Sequence, residues 1–542
     1  MQTPLWYKDA IFYELYIRAF KDSNGDGHGD LRGVIEKLDY LQDLGINCIW
    51  LLPMFPSPLK DDGYDVADFY NIHTDYGTLH DFKELVDQAH ARGIRVIADL
   101  VLNHTSDQHP WFQEAHQGQD NPKHDYYVWN DSHDKYRDAR IIFLDTEESN
   151  WSWDEQAKRY FWHRFYSSQP DLNYSNPEVQ QAMLDVAKFW LDMGIDGFRC
   201  DAIPYLFERE GTNCENLPET HAYLKQLRLD VEQHSPEAIL LSEANQWPED
   251  VREYFGEDGD EMHMAFHFPV MPRLFMALRK QDTTPIREIL ARTPAIPQNA
   301  QWCTFLRNHD ELTLEMVTEE ERQWMWQQYA PEPRMRLNLG IRRRLAPLLD
   351  NDFNKIVLAN SLLFTLPGSP IVYYGDEIGM GDDIWLKDRD GVRTPMQWNS
   401  TPQAGFSSAA STYSPVISTA PYDPSHVNVE DQMKDLASLY YMTKNMIAVR
   451  KTHRAFGWGD FEWATSSRPT QVAAYFRRHE GEELLILNNL SDASIDLSVE
   501  LPKRDIFFPP PNLFTGRASG ELADGQLHIH IKPHGYEWLK LA

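Results

Sequence analysis

The stretch IDGFRCD, residues 195–201, decides the fold class, because it reads as a buried strand that ends in a carboxylate. Side chains alternate along an extended chain, so Arg199 and Asp201 lie on the same side of the predicted strand. A neighbouring arginine lowers the pKa of an aspartate and keeps it ionised, which makes Asp201 a candidate nucleophile. A structural ion pair at a strand end is the alternative that this stretch alone leaves open.

Seven other apolar runs resemble this strand, and helical segments separate them. The eight runs cover residues 10–20, 47–53, 94–104, 195–201, 238–243, 262–268, 301–310 and 369–376. Several of the intervening helical patterns end at a glycine, which is a typical helix C-terminal residue. Strand, helix and glycine in this order are typical of parallel βαβ units. The chain is therefore predicted to be an α/β protein with a (β/α)8 barrel, or TIM barrel.

Two segments do not follow this alternation of strands and helices, and they divide the chain into predicted domains. Residues 104–171 are rich in Trp, His, Asp and Tyr, and are predicted to form a small domain inserted after strand three. Short alternating strands follow residue 457, so residues 457–542 are predicted to form a C-terminal antiparallel β-sandwich domain. The barrel then comprises residues 1–103 and 172–456, with a charged, helical excursion over 311–349 after strand seven.

Composition and charge exclude several classes of partner. The 542-residue chain carries 51 Lys and Arg against 83 Asp and Glu, a net charge of −32. So acidic a surface argues against nucleic acid and anionic membranes. The four cysteines form no CxxC pair, and the N-terminus lacks the basic and apolar regions of a signal peptide. No run reaches the roughly 18 apolar residues that span a bilayer, so we expect a cytoplasmic protein with no membrane partner.

The loop after the first predicted strand has the pattern of a cation site. Its sequence, DSNGDGHGD over residues 22–30, places oxygen side chains at alternate positions around a glycine. It resembles the first half of a calcium-binding loop but lacks the bidentate glutamate of an EF-hand. We expect a structural Ca2+ or Mg2+ ion here, and a solvated turn is the alternative. The expected ligands are the side chains of Asp22, Asn24, Asp26 and Asp30 and the carbonyl of His28.

Four of the predicted strands end in side chains that suit sugar chemistry. In a TIM barrel these ends meet on one face, so the side chains are expected to converge. Glycoside cleavage requires one ionised and one protonated carboxyl group. Asp201 suits the ionised nucleophile, and Glu243 suits the protonated acid because it ends an apolar run and burial raises its pKa. Asp310 is a third carboxylate able to bind sugar hydroxyls. His104 and His309 could donate to those hydroxyls, although each could equally be a buried structural histidine.

Four segments resemble the conserved regions of the α-amylase superfamily, glycoside hydrolase family 13. They are DLVLNH at 99–104, GFRCD at 197–201, SE at 242–243 and NHD at 308–310. The resemblance covers nearly the whole chain and implies a retaining mechanism. In it Asp201 is the nucleophile, Glu243 is the acid and base, and Asp310 is the transition-state stabiliser. The residues that accompany them as substrate-binding candidates are His104, Arg199 and His309.

Two further segments, DDGYD at 61–65 and RTPMQW at 393–398, resemble the oligo-1,6-glucosidase subgroup. In that subgroup an Asp–Arg pair clamps a terminal glucose and a tyrosine stacks against it. The resemblance implies that Asp61, Arg393 and Tyr64 have these substrate-binding roles. The alternative is that Asp61 and Arg393 only tie loops together.

Three more segments are similar to trehalose synthases, which convert maltose reversibly into trehalose. They are YLFEREGT at 205–212, NLPETH at 216–221 and EANQWP at 243–248. The similarity implies isomerisation through a covalent glucosyl-enzyme with minor hydrolysis to glucose. Hydrolysis alone, by an α-glucosidase or oligo-1,6-glucosidase, is the alternative. Asn245 is a further substrate-binding candidate, and residues 140–171, Asn245 and Glu311 are candidates for closing the pocket against water.

The same similarity implies a second cation site and a set of ligands. The implied cation ligands are Asn103, Asp171, Glu208 and the carbonyls of Tyr205 and Leu206. The alternative is that Asn103 and Asp171 simply hydrogen-bond each other. The implied partners are maltose, trehalose and glucose, with no organic cofactor, and a homodimer is a plausible assembly.

Overall fold

Eight parallel strands form a closed barrel in the computed structural model, which describes residues 5–502 and 508–542. They are β1 (Phe12–Leu15), β2 (Cys48–Leu51), β3 (Arg95–Val101), β4 (Gly197–Asp201), β5 (Ile239–Ser242), β6 (Met264–Phe266), β7 (Gln301–Phe305) and β8 (Ser369–Tyr373). Phe12 of β1 lies opposite both Cys48 of β2 and Ile371 of β8, and this double pairing closes the cylinder. The predicted (β/α)8 barrel is confirmed. Residues 1–4 of the predicted barrel and 503–507 of the predicted C-terminal domain lie outside the described residues.

Helices cover the outside of the barrel and explain why its strands are buried. The principal ones are Leu31–Glu36, Leu38–Leu44, Leu79–Ala91, Pro177–Asp192, Pro218–His234, Val270–Lys280, Thr284–Arg292, Phe353–Thr365 and Leu439–Thr452. Every residue of β1, β2, β4 and β8 is buried, as expected for parallel strands that are covered on both faces. Among the described residues, none of the helices combines the length and the apolar character needed to cross a bilayer.

Gly197 allows β4 to begin beside β5. Its φ of +146° lies in a region that side chains rarely adopt, and an added Cβ would lie 2.3 Å from the carbonyl oxygen of Ile239. Any larger residue would push the two strands apart at this point. The glycine therefore helps to set the position of Asp201, four residues further along the same strand.

Two predicted strands are shorter than their apolar runs suggested. The first run, 10–20, contains β1 and then a helical turn, Ile17–Phe20. The run 301–310 contains β7 only as far as Phe305, so residues 306–310 form a loop. Apolar runs define burial rather than conformation, and a buried loop or helical turn satisfies the same pattern.

The inserted domain leaves and re-enters the barrel at one point. An antiparallel bridge joins His104 to Asp171, the first and last residues of the predicted insertion. Between them lie a helix, Pro110–Ala115, and a three-stranded antiparallel sheet. The strands of this sheet are Trp129–Asn130, Trp151–Asp154 and Arg159–Trp162.

The excursion after β7 was predicted to be helical, and the structure corrects this in part. It contains one helix of three turns, Glu319–Tyr329, which begins with a capping box at Thr318. It also contains a small antiparallel sheet that the charged sequence did not indicate. The strands of that sheet are Leu312–Thr313, Arg336–Leu337 and Gly340–Ile341.

Two antiparallel sheets form the C-terminal domain, as predicted. One consists of Asp460–Trp463, Val472–His479, Glu482–Asn489 and Tyr536–Lys540, and the other of Ile495–Glu500, Glu521–Ala523 and Gln526–Ile531. Apolar side chains from both sheets, such as Leu485 and Leu497, share one buried cluster, so the sheets pack face to face. Trp538 is fully buried and donates to Ser361 on a barrel helix, which attaches the domain to the barrel.

Candidate active site

The three predicted catalytic carboxylates line one cavity at the carboxyl ends of the barrel strands. Asp201 is the last residue of β4, Glu243 directly follows β5, and Asp310 lies in the loop after β7. The cavity has a volume of about 120 Å³. This is well above the roughly 15 Å³ that a single water molecule needs, so the cavity can admit a ligand larger than water. The convergence expected of strand ends in a TIM barrel is therefore present.

One guanidinium group holds two of these carboxylates in place. Arg199 donates to Asp201 and forms an ion pair with Glu243, with Nη2 2.5 Å from Oε1 of the glutamate. It also donates to Asp99 of β3 at 2.7 Å. Glu243 accepts a hydrogen bond from the backbone N–H of Ala202 at 3.0 Å. Arg199 is buried and does not line the cavity, so in this structure it positions the carboxylates.

Burial separates the protonation states of the two carboxyl groups. It raises the pKa of Asp201 to about 6 and that of Glu243 to about 8, although Arg199 lowers both. The expectation that Arg199 keeps the pKa of Asp201 below its usual value is wrong, because loss of solvent outweighs the ion pair. Between these two pH values Asp201 is ionised and Glu243 is protonated, which is the state that glycoside cleavage requires.

Asp310 has the opposite electrostatic environment. Burial would raise its pKa, but His309 and Arg389 hold the pKa well below its usual range. Arg389 donates to its Oδ1 at 2.8 Å, and Nε2 of His309 lies 3.1 Å from its Oδ2. Asp310 is thus a permanently ionised group at the wall of the cavity.

His309 lies between Asp310 and a residue that sequence reasoning missed. Its Nδ1 is 2.5 Å from Oε1 of Glu14, which belongs to β1 and is fully buried. The hydroxyl of Tyr64 lies 2.8 Å from Nε2, and the tyrosine ring stacks on the imidazole. Glu14 carried no motif, since it is one acidic residue within an apolar run.

Asp61 pairs with a different arginine from the one that the sequence predicted. Asp61 accepts hydrogen bonds from Arg389 at 2.5 Å and from Gln169 at 2.9 Å. Arg393 instead donates to Asp62 at 2.6 Å and to Asp310 at 3.1 Å. Arg389 lines the cavity and Arg393 does not. The structure therefore replaces the predicted pair of Asp61 and Arg393 with Asp61 and Arg389.

Four predicted substrate-binding residues line the cavity: Asp61, Tyr64, His104 and Asn245. Neither ring nitrogen of His104 has a hydrogen-bond partner, and burial lowers its pKa to about 3. Its neutral ring can thus both donate to and accept from a sugar hydroxyl. The side-chain oxygen of Asn245 is also buried without a partner. His309 is absent from the lining, because both of its nitrogens are bound to protein groups.

Arg140 links the inserted domain to the excursion after β7 beside this cavity. Its guanidinium lies 2.6 Å from Oε2 of Glu315 and 2.8 Å from Oε1 of Glu215, and it also donates to the Tyr205 hydroxyl at 3.1 Å. Glu315 and Tyr205 both line the cavity. Arg140 lies within the predicted closing range, whereas Glu315 was missed because one glutamate in a charged segment has no distinguishing pattern.

The residues predicted to hold a second cation supply oxygens that the protein leaves unpaired. Both polar atoms of the Asn103 side chain, Oδ2 of Asp171 and Oε1 of Glu208 are buried without a hydrogen-bond partner. Amide and carboxylate oxygens are the ligands that Ca2+ and Mg2+ prefer, so the donor set fits such an ion.

The residues of the 22–30 loop are arranged differently. Asp22 accepts from the backbone N–H groups of Asn24, Gly25 and Gly27, and Asp26 accepts from that of His28. Asp30 caps the helix Leu31–Glu36 and also accepts from Ser23. The oxygens point into the loop, but several are bound to its own amides. Within residues 5–502 and 508–542, no three His, Cys, Asp or Glu side chains cluster in a metal-holding arrangement, so any cation here needs amide and carbonyl ligands.

Comparison with known proteins identifies the family to which this chain belongs. The family model described as the α-amylase catalytic domain matches residues 14–331 and 341–459, and the chain belongs to this family. The trehalose synthase/amylase TreS of Mycobacterium tuberculosis (strain H37Rv) is 56% identical, over 99% of this chain and 90% of that protein. The trehalose synthase of Pimelobacter sp. (strain R48) is 52% identical, over 100% of this chain and 96% of that protein. These identities place the chain among the trehalose synthases of the family.

A solved structure shows the same architecture. The trehalulose synthase MutB from Pseudomonas mesoacidophila MX-45 superposes with a TM-score of 0.79 at 27% sequence identity. The match covers 99% of each chain. The two folds therefore correspond over nearly the whole length of both chains.

Proposed function

We propose that the protein converts maltose reversibly into trehalose by moving a glucosyl unit from one hydroxyl of the acceptor glucose to another. One observation carries this proposal: Asp201 and Glu243 share the guanidinium of Arg199 inside a cavity bordered by the inserted domain. The high identity to trehalose synthases supports it.

Cleavage comes first. Glu243 gives its proton to the glycosidic oxygen of maltose while a carboxylate oxygen of Asp201 attacks the anomeric carbon from the opposite side. The bond to the second glucose breaks, and a β-glucosyl ester with Asp201 forms. Asp310 carries negative charge beside this centre and can strengthen its hydrogen bonds to sugar hydroxyls as positive charge develops on the ring.

Transfer is the reverse process with a different oxygen. The released glucose turns within the cavity and presents its anomeric hydroxyl, whose proton passes to the Glu243 carboxylate. The oxygen attacks the glucosyl ester, Asp201 leaves as a carboxylate, and trehalose forms. Two inversions give net retention, and Glu243 returns to its protonated state.

The contacts between the inserted domain and the excursion after β7 favour transfer over hydrolysis. Arg140 bonds Glu315, and Asp145 of the inserted domain accepts from the backbone N–H of Asn338 at 2.8 Å. Asn245, which follows β5, donates to Thr313 at 3.0 Å. These contacts restrict the cavity opening, so a glucose molecule is retained while it turns and water is largely excluded. A minor release of glucose is the expected leak.

Sugar chromatography after incubation with maltose tests the proposal. We expect trehalose as the main product with a minor amount of glucose, and maltose when trehalose is the starting sugar. Glucose as the sole product from maltose would instead support an α-glucosidase or oligo-1,6-glucosidase. A variant with Asp201→Asn serves as the control for contaminating activities, because the nucleophile is removed.

We also propose that structural Ca2+ or Mg2+ ions occupy the two predicted sites. Asn103, Asp171, Glu208 and the carbonyls of Tyr205 and Leu206 would hold one, and the 22–30 loop the other. The unpaired buried oxygens at the first of these support the proposal, because such groups are costly without a partner. Chelation should lower the melting temperature, and the Asp171→Asn variant should show a smaller decrease. An identical melting temperature with and without chelator would contradict both sites.

A cytoplasmic location is proposed on the composition and on the cysteines, all four of which are buried and free. A homodimeric assembly stays a prediction.

A further inference from the structure

Glu14 is an acidic residue in the middle of β1, and the other three residues of this strand are apolar or aromatic. Its side chain is fully buried, and Oε2 has no hydrogen-bond partner. Oε1 accepts from the backbone N–H of His309 at 3.0 Å and lies 2.5 Å from Nδ1 of the same residue. Burying a carboxylate in this way costs several kcal/mol unless a partner compensates, so the position calls for an explanation.

The only hydrogen-bond partner of this carboxylate in the described part of the chain is His309. Arg307 is a nearby cation, but its N–H groups donate to the carbonyls of Arg343 and Asp310. The negative charge of Glu14 also raises the pKa of three other buried groups, Cys303, Tyr373 and Asp376. Glu14 therefore acts on the site through one imidazole.

His309 has a carboxylate beside each of its ring nitrogens. Nδ1 faces Glu14, and Nε2 faces Asp310 at 3.1 Å and the Tyr64 hydroxyl at 2.8 Å. The charged or ionisable groups that face the residue are Glu14 from β1, Tyr64 from the loop after β2, Asp99 from β3, Asp310 from its own loop and Arg393 from the loop after β8. Two flanking acceptors are satisfied only when both nitrogens carry protons.

We propose that Glu14 is a positioning residue that keeps His309 as a doubly protonated imidazolium, and thereby holds the transition-state stabiliser Asp310 in its ionised, oriented form. Nδ1–H donates to Glu14, which fixes the ring, and Nε2, which is hydrogen-bonded to the Tyr64 hydroxyl, lies 3.1 Å from Oδ2 of Asp310 and forms an ion pair with it. Oδ1 of Asp310 takes the two arginine contacts. Burial alone would lower the pKa of His309, but Asp310 and Glu14 raise it to about 9.

Direct titration of His309 tests the protonation state of its imidazole without any substrate. The enzyme is labelled with [13Cε1]histidine, and the His309 resonance is identified by its loss in the His309→Gln variant. In the parent enzyme we expect the resonance to titrate near pH 9, and in Glu14→Gln at least about one pH unit lower, because one of two neighbouring carboxylates is removed. Titration of the parent resonance at or below pH 6.5 would overturn the proposal whether or not the variant folds.

Glu377→Gln is the matched control. Glu377 is equally buried and accepts from the hydroxyls of Tyr13 and Tyr40, outside the cavity lining. The same isosteric change there should leave the His309 titration in place. An unchanged titration in Glu14→Gln, or an equal shift in Glu377→Gln, contradicts a specific role for Glu14.

The predicted effect of Glu14→Gln on catalysis rests on the proposed function. A second substrate distinguishes failure of the Glu14 proposal from failure of the proposed function. The pH dependence of kcat/KM is measured with maltose and with p-nitrophenyl α-D-glucoside, which needs only glucosyl-enzyme formation and hydrolysis. We expect Glu14→Gln to lose about threefold more activity at pH 8.5 than at pH 6, because a pKa about one unit lower leaves His309 mostly deprotonated at pH 8.5. In a His309→Gln background the added Glu14→Gln change should move the profile no further.

A pH-independent loss of activity in Glu14→Gln would mean a merely structural role for Glu14. Absence of trehalose with a shifted glucoside profile would defeat the proposed function alone.

Discussion

Arg140 and Glu315 form an ion pair between two segments that are both outside the barrel strands, with Nη1 2.6 Å from Oε2. Arg140 belongs to the inserted domain after β3, and Glu315 to the excursion after β7 and to the cavity lining. The pair thus connects opposite sides of the cavity rim through one contact. Its side chains are about one-third and one-seventh exposed, so solvent weakens it only partly.

Loss of this pair is expected to release glucose. In Arg140→Ala we expect an about two- to fivefold higher ratio of glucose to trehalose from maltose, because the rim opens before the glucose has turned. Chromatography of initial products measures the ratio. Arg137→Ala is the control, since Arg137 pairs with Asp134 on the exposed surface of the same domain. An unchanged ratio in Arg140→Ala would show that other contacts retain the sugar.

The activity should depend on pH as a bell-shaped curve. Asp201 must be ionised, so kcat/KM should rise as pH increases through about 6. Glu243 must be protonated for cleavage, so it should fall as pH increases above about 8. Initial rates at low maltose concentration between pH 4.5 and 9.5 measure both limbs, with buffers overlapped at about constant ionic strength. A flat profile across pH 6–8.5 with no limb on either side would be inconsistent with these two roles.

The separate roles of the two carboxylates can be read from azide products. Asp201→Asn should lose on the order of 10⁴-fold of kcat while retaining its melting temperature, because only the nucleophile changes. With α-glucosyl fluoride and azide, Asp201→Gly should give β-glucosyl azide by one inversion. Glu243→Gly should give the α-anomer, because the ester with Asp201 still forms. The same anomer from both variants would refute the assignment.

The two arginines of the loop after β8 should affect different sets of kinetic constants. Arg389 lines the cavity and bonds both Asp61 and Asp310, so Arg389→Ala should raise KM for maltose as well as lower kcat. Arg393 lies behind the wall and bonds Asp62 and Asp310, so Arg393→Ala should mainly lower kcat. Steady-state kinetics of both variants provide the comparison, each serving as the control for the other. The reverse pattern would restore the pairing of Asp61 with Arg393.

The barrel and its carboxylates could be predicted because their signals are local. An apolar run followed by a single acid marks the end of a buried strand, and the topology of a parallel barrel brings such ends together. Asp201 and Glu243 were found in this way. Asp310 was found in the same way, although four loop residues separate it from the end of β7.

The partners of those carboxylates could not be predicted because they depend on the path of irregular segments. Arg389 and Arg393 lie four residues apart in one loop, and nothing local shows which of them reaches Asp61. The sign of the pKa shift at Asp201 failed for a related reason: the neighbouring Arg199 is visible in sequence, whereas the extent of burial is not. Glu14 was missed because its importance lies wholly in a contact with His309, 295 residues away.

The pairing of β1 with β8 has a consequence for biosynthesis. The first strand emerges from the ribosome early, yet its neighbour on one side and the partner of its buried glutamate are both made more than 290 residues later. Nascent chains that end before β8 therefore lack a closed cylinder, and chains that end before Arg393 lack a complete sugar site. Chaperone occupancy during translation should persist until the loop with Arg393 has left the exit tunnel, and truncated chains released earlier should be degraded rather than partly active.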